Sequence, residues 1–379
     1  MPFEDHLNAP GDKGQVVLID LKTGAEKVVA VTAGWEEQMG ANINWGASDE
    51  ELIFNDVDTA TWTPQLVRCN PLTGKIDKTA GGVYHVSPDG RHAASASMAT
   101  MRRTQIGYGV NLPEDRIRRN VGPSDDDGLF ITDLATGRRK LVFTLAQAAG
   151  LMEELTPQAA GELEIYGFHS KWSPTGKRVM FSVRRFAAAG PARVDLMNNQ
   201  TPGQRLEFDV FSMNPDGSDA RNAIPARYWK HGGHHTHWLP DGSGFSFNLG
   251  GFGQGLRFCR VDQRGGEVTP ILRDVLGSGH PTMYPDGRHI LTDSYEHEKR
   301  IAFGDGTVPL RWVSLAGGGE RTLVRIGART EPQPSRALRI DAHPAWDRDW
   351  RLVVFNGVIP GQNTRRVFLA DMSAVISGA

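Results

Sequence analysis

Cysteine is almost missing. The 379 residues contain two, Cys69 and Cys259, which excludes a disulfide framework and a cysteine-rich zinc site. An excess of charge is missing too. Forty-two Lys and Arg stand against 44 Asp and Glu, a formal charge of −2, so no global field argues for a nucleic-acid partner. No apolar run of about 18 residues occurs, so no membrane partner is expected. The opening MPFEDHLNAPGDKG lacks a basic stretch leading into an apolar one. That predicts a cytoplasmic protein, although a mature exported chain would read the same way. No Gly-x-Ser-x-Gly elbow is found, and GGFGQG (250–255) lies between strand patterns rather than before a helix, which argues against a phosphate loop.

Glycine and proline are plentiful, at 44 and 22, and they fall in a repeat. One family of segments reads NINWGASDEELIFND, VYHVSPDGRHAASAS, HSKWSPTGKRVMFSV, HTHWLPDGSGFSFNL, HPTMYPDGRHILTDS and HPAWDRDWRLVVFNG. Each is a short strand, a tight turn of Pro, Asp and Gly, and a second strand. The other family alternates polar and apolar residues into an Asp-x-x-Thr-Gly type of turn, as in QVVLIDLKTGAEKVV and GLFITDLATGRRKLV. The two alternate along the whole chain. Four-stranded units recurring about every 40–50 residues predict an all-β fold, a β-propeller, as one domain over 1–379. Seven blades are expected, with six as the alternative. A helix is conceivable only around 141–155.

In a propeller the first strand of each blade is innermost. The short turns then share one face and the long insertions, 98–127, 144–166, 184–207 and 326–339, share the other. Long loops gathered on one side of a rigid scaffold mark a working face.

HGGHHTHW packs four of the twelve histidines, His231, His234, His235 and His237, into seven residues. Alignment of the first strands divides this cluster. Three residues before the Trp45, Val86, Trp172, Trp238, Met283 and Trp346 column stand Asn42, Val83, His169, His235, His280 and His343. Four consecutive repeats thus place histidine at one level, beside the axis. Such a ring suits a divalent metal, and imidazole is also the usual base near neutral pH. By strand alternation His237 shares the face of His235, which makes it a further ligand or a catalytic acid or base. His231 and His234 are expected to be solvated loop residues. Asp293, in TDSYEHEKR, stands where it could orient a ligand histidine.

The SPDG turns with DLxTG-like strands resemble the TolB-like propellers. The segments SGHPTMYPDGRHILTDSY and RIDAHPAWDRDWRLVVFNG, with the histidine column, resemble the oligogalacturonate lyase family of seven-bladed propellers. That resemblance implies a divalent metal, manganese first, with Zn, Ni or Ca as alternatives. It implies His280 and His343 as ligands by motif, and His235 and His169 by column. It also implies an acidic oligosaccharide as substrate, cleaved by β-elimination at a uronate. Such chemistry needs a neutralised carboxylate, a base and a proton donor. The residues 98–120 hold five Arg against two acids, and ARYWKHGG precedes the histidine cluster. Arg103, Tyr108 and Arg227 are the candidates from these loops, beside His237. Two other readings remain: a non-catalytic propeller that binds a peptide or protein, and a glycoside hydrolase on the same scaffold.

Overall fold

A computed structural model describes residues 7–153, 155–188, 206–330, 339–359, 361–362 and 364–378. The chain divides into two compact units, Leu7–Ala226 and Arg227–Ala379.

The first unit opens with a hairpin, β1 (Gly14–Ile19) and β2 (Glu26–Thr32). Three four-stranded antiparallel sheets follow. They are β3 (Asn44–Trp45) to β6 (Ile76–Ala80) through β4 (Leu52–Asp58) and β5 (Thr63–Cys69), then β7 (His85–Val86), β8 (His92–Ser95), β9 (Gly128–Asp133) and β10 (Arg139–Thr144). The third is β11 (Leu163–Trp172), β12 (Val179–Ala187), β13 (Glu207–Met213) and β14 (Arg221–Ile224). The second unit holds the sheet β15 (Gly233–Trp238), β16 (Gly244–Leu249), β17 (Arg257–Asp262) and β18 (Thr269–Pro270). It continues with β19 (Thr282–Met283), β20 (His289–Thr292), β21 (Thr307–Ser314) and β22 (Glu320–Gly327). A three-stranded group, β23 (Ala345–Trp346), β24 (Leu352–Val358) and β25 (Arg365–Asp371), joins β22 through one residue pair, Gly327 with Val358.

Strand order therefore follows chain order, as the repeat predicts. Five sheets are complete; a two-stranded and a three-stranded group stand at the chain's ends. Counted apart, those two groups make seven blades, and counted together six. The turns form for local reasons. In LKTG, NPLTG and LATG, the Oδ1 of Asp20, Asn70 or Asp133 accepts from backbone N–H groups two or three residues on, at 2.8 to 3.2 Å. Gly24, Gly74 and Gly137 then take φ of 72°, 76° and 71°, where a side chain would be strained.

The second strand of each sheet carries the core. Val179–Phe186 and Gly244–Leu249 are buried at every position, including Phe181, Phe186, Phe245 and Phe247. Burying one such ring contributes roughly 1.5–3 kcal/mol. The helix expected around 141–155 forms only in part. Residues 139–144 are β10, and a short helix, Leu145–Gly150, starts after them. Thr144 sets that boundary: its Oγ1 accepts from the Gln147 N–H at 3.0 Å while its own N–H donates to Gln147 Oε1 at 2.8 Å. No described helix is long and apolar enough to cross a membrane.

Candidate metal centre

His235, His280 and His343 come together in the second unit. The rings of His235 and His280 lie 4.0 Å apart, centre to centre, and those of His280 and His343 3.6 Å. The backbone is bent to achieve this. In β15, His234 pairs with Asn248 and His237 with Ser246, so His235 and Thr236 together oppose one residue of β16. Such a bulge re-aims the side chain it carries. His235 and His343 also take φ of 59° and 45°, a left-handed conformation that costs a non-glycine residue on the order of 1 kcal/mol. Before His280 stands Gly279, where an added Cβ would lie 2.3 Å from Asp293 Oδ1. Glycine there lets the carboxylate approach.

Hydrogen bonds assign the ring protons. His280 Nδ1 lies 2.9 and 3.0 Å from the two oxygens of Asp293, and the His280 backbone N–H donates to the same carboxylate at 2.6 Å. His235 Nδ1 lies 2.6 Å from the Gly279 carbonyl, which can only accept. Both Nδ1 atoms are therefore the donors, and in the neutral rings both Nε2 atoms keep a lone pair. The Tyr295 hydroxyl sits 3.3 Å from His235 Nε2 and 3.5 Å from His280 Nε2. One ligand atom each from His280, His343 and Asp341 lies within 4.8 Å of the others. Two donors at about 2.1 Å from one ion stand at most about 4.2 Å apart, so the three atoms are near the spacing a shared divalent ion would draw them to.

Burial, and then the neighbouring imidazoles, hold His235 well below the ordinary histidine range. Burial lowers His234 to about 4. Burial raises Asp293, against His343 and the backbone N–H groups, and it raises Asp341 against the nearby Arg339. Arg339 Nε donates to Asp341 at 2.9 Å. Neutral imidazoles and ionised carboxylates are the ligating forms, so a bound cation would oppose the burial that raises the two acids. Nitrogen and oxygen donors without thiolate suit a divalent cation of the Mn or Zn kind.

Two contributors escape the histidine column. Asp341 stands two residues before His343 in RIDAHPAW, a same-face spacing that was there to be read. Tyr295 follows Asp293 by two, past the end of β20. His234 corrects an expectation: it is a β15 residue, not a solvated loop residue. Its ring packs 4.4 Å from His235 and edge-on to Tyr295 at 5.6 Å, and its Nδ1 lies 2.7 Å from that of His235. His231 is exposed. His237 is also displaced from expectation. The bulge cancels the two-residue alternation, so His237 does not share the face of His235, and its Nδ1 lies 3.1 Å from the Trp238 carbonyl.

The remaining candidates divide by unit. Arg227 is exposed in the second unit, its guanidinium 5.0 Å over the Tyr228 ring. His169, Arg103 and Tyr108 belong to the first. His169 occupies the bulge of β11, packed on Phe168 at 4.2 Å and Tyr84 at 5.3 Å. Tyr108 is buried against Phe168 at 5.0 Å. Arg103 forks onto Glu164 at 2.7 and 2.8 Å with both side chains 1% exposed, so its guanidinium is taken up by the protein's own carboxylate. Charge density in the 98–120 loop, which suggested a substrate site, is here spent on folding the loop: Arg102 pairs with buried Glu36, and Arg119 with Glu164.

Among solved structures, an oligogalacturonate lyase in complex with manganese matches over 96% of this chain and 84% of that chain, with a TM-score of 0.60 at 14% identity. The fold is a β-propeller. An oligogalacturonate lyase from Vibrio parahaemolyticus (TM-score 0.45, 13% identity, 97% of this chain and 100% of that chain) is also similar. So is TolB from Acinetobacter baumannii (TM-score 0.45, 14% identity, 97% of this chain and 75% of that chain). No protein-family model and no curated protein matches the chain. Identities this low speak for the propeller and not for its chemistry.

Proposed function

We propose that this propeller is a divalent-metal-dependent lyase that cleaves uronic-acid-containing oligosaccharides by β-elimination. One observation carries the reading: the Nε2 atoms of His235 and His280 converge on the Tyr295 hydroxyl, beside His343 and Asp341. His235, His280 and His343, with Asp341, are the residues that would hold the ion, and manganese is favoured because a structural neighbour carries it. A bound divalent cation supplies charge neutralisation of the uronate carboxylate, which makes the adjacent C5–H more acidic.

The chain's own residues do the rest. Asp293 locks the His280 ring in one tautomer and orientation. Gly279 O does the same for His235. Tyr295 Oη is the group positioned to hold a proton beside the ligand nitrogens. Elimination removes the C5 proton to a base, breaks the C4–O4 bond, and returns a proton to O4. Arg227, exposed just before β15 with its guanidinium over the Tyr228 ring, is the candidate to read a second substrate carboxylate.

The test is incubation with polygalacturonate, alginate and other uronate glycans in each of Mn, Zn, Ni and Ca, with the absorbance of the 4,5-unsaturated product as readout. Absorbance that rises only with metal supports the lyase. Saturated reducing ends would make it a hydrolase instead, and no cleavage with any pairing would leave a binding propeller.

A further inference from the structure

The first strands of the last two repeats have a second end. Tyr284 follows β19 and Trp346 ends β23, each within four residues of a column histidine, which is about 13 Å along an extended strand. Here the tight turns lie. In four repeats the fourth turn residue is glycine: Gly90, Gly176, Gly242 and Gly287, at φ of 70°, 69°, 72° and 65°. Each donates its N–H to the carbonyl three residues back. In the last repeat the same slot holds Trp350. It makes the same bond, to the Asp347 carbonyl at 3.3 Å, and takes the same left-handed conformation at φ 55°.

A bulky aromatic residue at positive φ is a genuine outlier, costing on the order of 1 kcal/mol where glycine would cost nothing. The slot has room for a side chain. At Gly287, the equivalent position one repeat earlier, an added Cβ would meet nothing within 4 Å. What the strain achieves is an aromatic surface. The Trp350 ring stands 5.6 Å from Trp346 and 6.0 Å from Tyr284, the latter at 86°, while Trp346 and Tyr284 are 5.4 Å apart. All three are half-buried, backed by Trp312, which is 6% exposed and stacked on His289 at 4.8 Å.

The same two turns carry three acids, Asp286, Asp347 and Asp349, and three bases, Arg288, Arg348 and Arg351, and two of the acids are engaged by the protein itself. Asp286 is engaged by the Arg288 N–H and by His289 Nδ1, both at 2.7 Å. Asp347 Oδ1 accepts from the Arg351 and Leu352 N–H groups at 2.8 and 2.9 Å. The side chains of Arg288, Arg348 and Arg351 are exposed. Indole and phenol faces that stay partly open, with guanidinium groups beside them, match a sugar ring that carries a carboxylate: C–H groups stack on the ring face and the fork reads the anion.

We propose that Trp350, with Trp346 and Tyr284, forms an ancillary carbohydrate-binding platform for an acidic oligosaccharide, separate from the histidine cluster. The acidic character of the sugar rests on the lyase reading; the platform itself does not. The test is native affinity electrophoresis through gels containing polygalacturonate, alginate or a neutral β-glucan, with chelator throughout so that the histidine cluster contributes no metal-bound contact. The variants are Trp350→Gly, which restores the residue of the other repeats, and Trp350→Asn, which also tolerates positive φ. Wild type is expected to be retarded in an acidic gel, and both variants to bind at least about tenfold more weakly. Equal retardation of wild type and variants, or no retardation of wild type in any gel, would overturn the platform. Retardation by β-glucan alone would overturn its acidic ligand. Trp350-dependent retardation without cleavage of any uronate would sink the lyase and leave the platform standing; cleavage without such retardation would do the reverse.

Discussion

His169 and His280 hold the same place in the repeat and meet different neighbours. Thirteen residues later, on the second strand or just past its end, each finds its hydrogen-bond partner: Ser182 Oγ accepts from the His169 N–H at 2.8 Å, and Asp293 Oδ1 from the His280 N–H at 2.6 Å. The hydroxyl satisfies a backbone group. The carboxylate satisfies the backbone group and also holds the ring nitrogen. Around His169 the rings of Phe168, Tyr84 and Tyr108 close in, whereas around His280 stand His235, His343 and Asp341. A repeat therefore delivers a histidine to a given level, and the residue thirteen positions on decides whether its ring nitrogen is held as well as its backbone N–H.

This contrast can be broken in graded steps. The largest effect is expected from His280→Ala or His343→Ala, which should abolish stoichiometric divalent-metal binding in elemental analysis, while His169→Ala should leave it intact. Metal lost on His169→Ala would place the two histidines in one site after all. Next, Tyr295→Phe should keep the metal and lower turnover on uronate by roughly 10²–10⁴-fold, the usual range for a lost proton-transfer group. Unchanged turnover would remove Tyr295 from the chemistry. Asp293→Ser, which copies the His169 environment, should weaken metal affinity by roughly 10–100-fold in chelator competition. The reverse change, Ser182→Asp, should create no site, because the rings packed on His169 are those of Phe168, Tyr84 and Tyr108 rather than imidazoles.

Two further measurements act on stability. Arg103→Ala leaves a buried Glu164 short of a partner, so chemical unfolding should show a loss of roughly 3 kcal/mol, with metal binding by the folded fraction unchanged. The smallest effect is expected from pH. His234, lowered to about 4, and His235, held by burial well below the ordinary histidine range, bind fewer protons folded than unfolded. In metal-free protein their contribution is fully present above about pH 6.5 and drains away as pH falls from there through about 4. Urea midpoints at pH 7, 5.5 and 4.5 should therefore fall, and a His234→Asn variant should flatten the slope.

Much of the architecture was readable. Turn residues with a mechanism, such as Asp133 and Gly137, and second strands with an apolar run, such as 179–181, mark strand and turn without help from the rest of the chain. The column of histidines was readable because a repeat converts distant positions into one level. What misled was local alternation. His237 was assigned to the face of His235 by a two-residue period that a bulge cancels, and a bulge leaves no residue signature in THW. Arg103 misled for another reason: guanidinium groups bind the protein's own carboxylates as readily as a substrate's, and only the arrival of Glu164 from a distant strand shows which.

The sequence alone determined the strand and turn repeat, and with it the level at which His235, His280 and His343 stand, because propeller strands are built from local alternation and turn chemistry. Tertiary structure alone decided which way those rings face, that Asp341 and Tyr295 join them, and that Arg103 does not present its charge to solvent. Orientation and partnership depend on bulges, left-handed residues and approaches between side chains far apart in the chain, and none of these is a property of any single stretch of it.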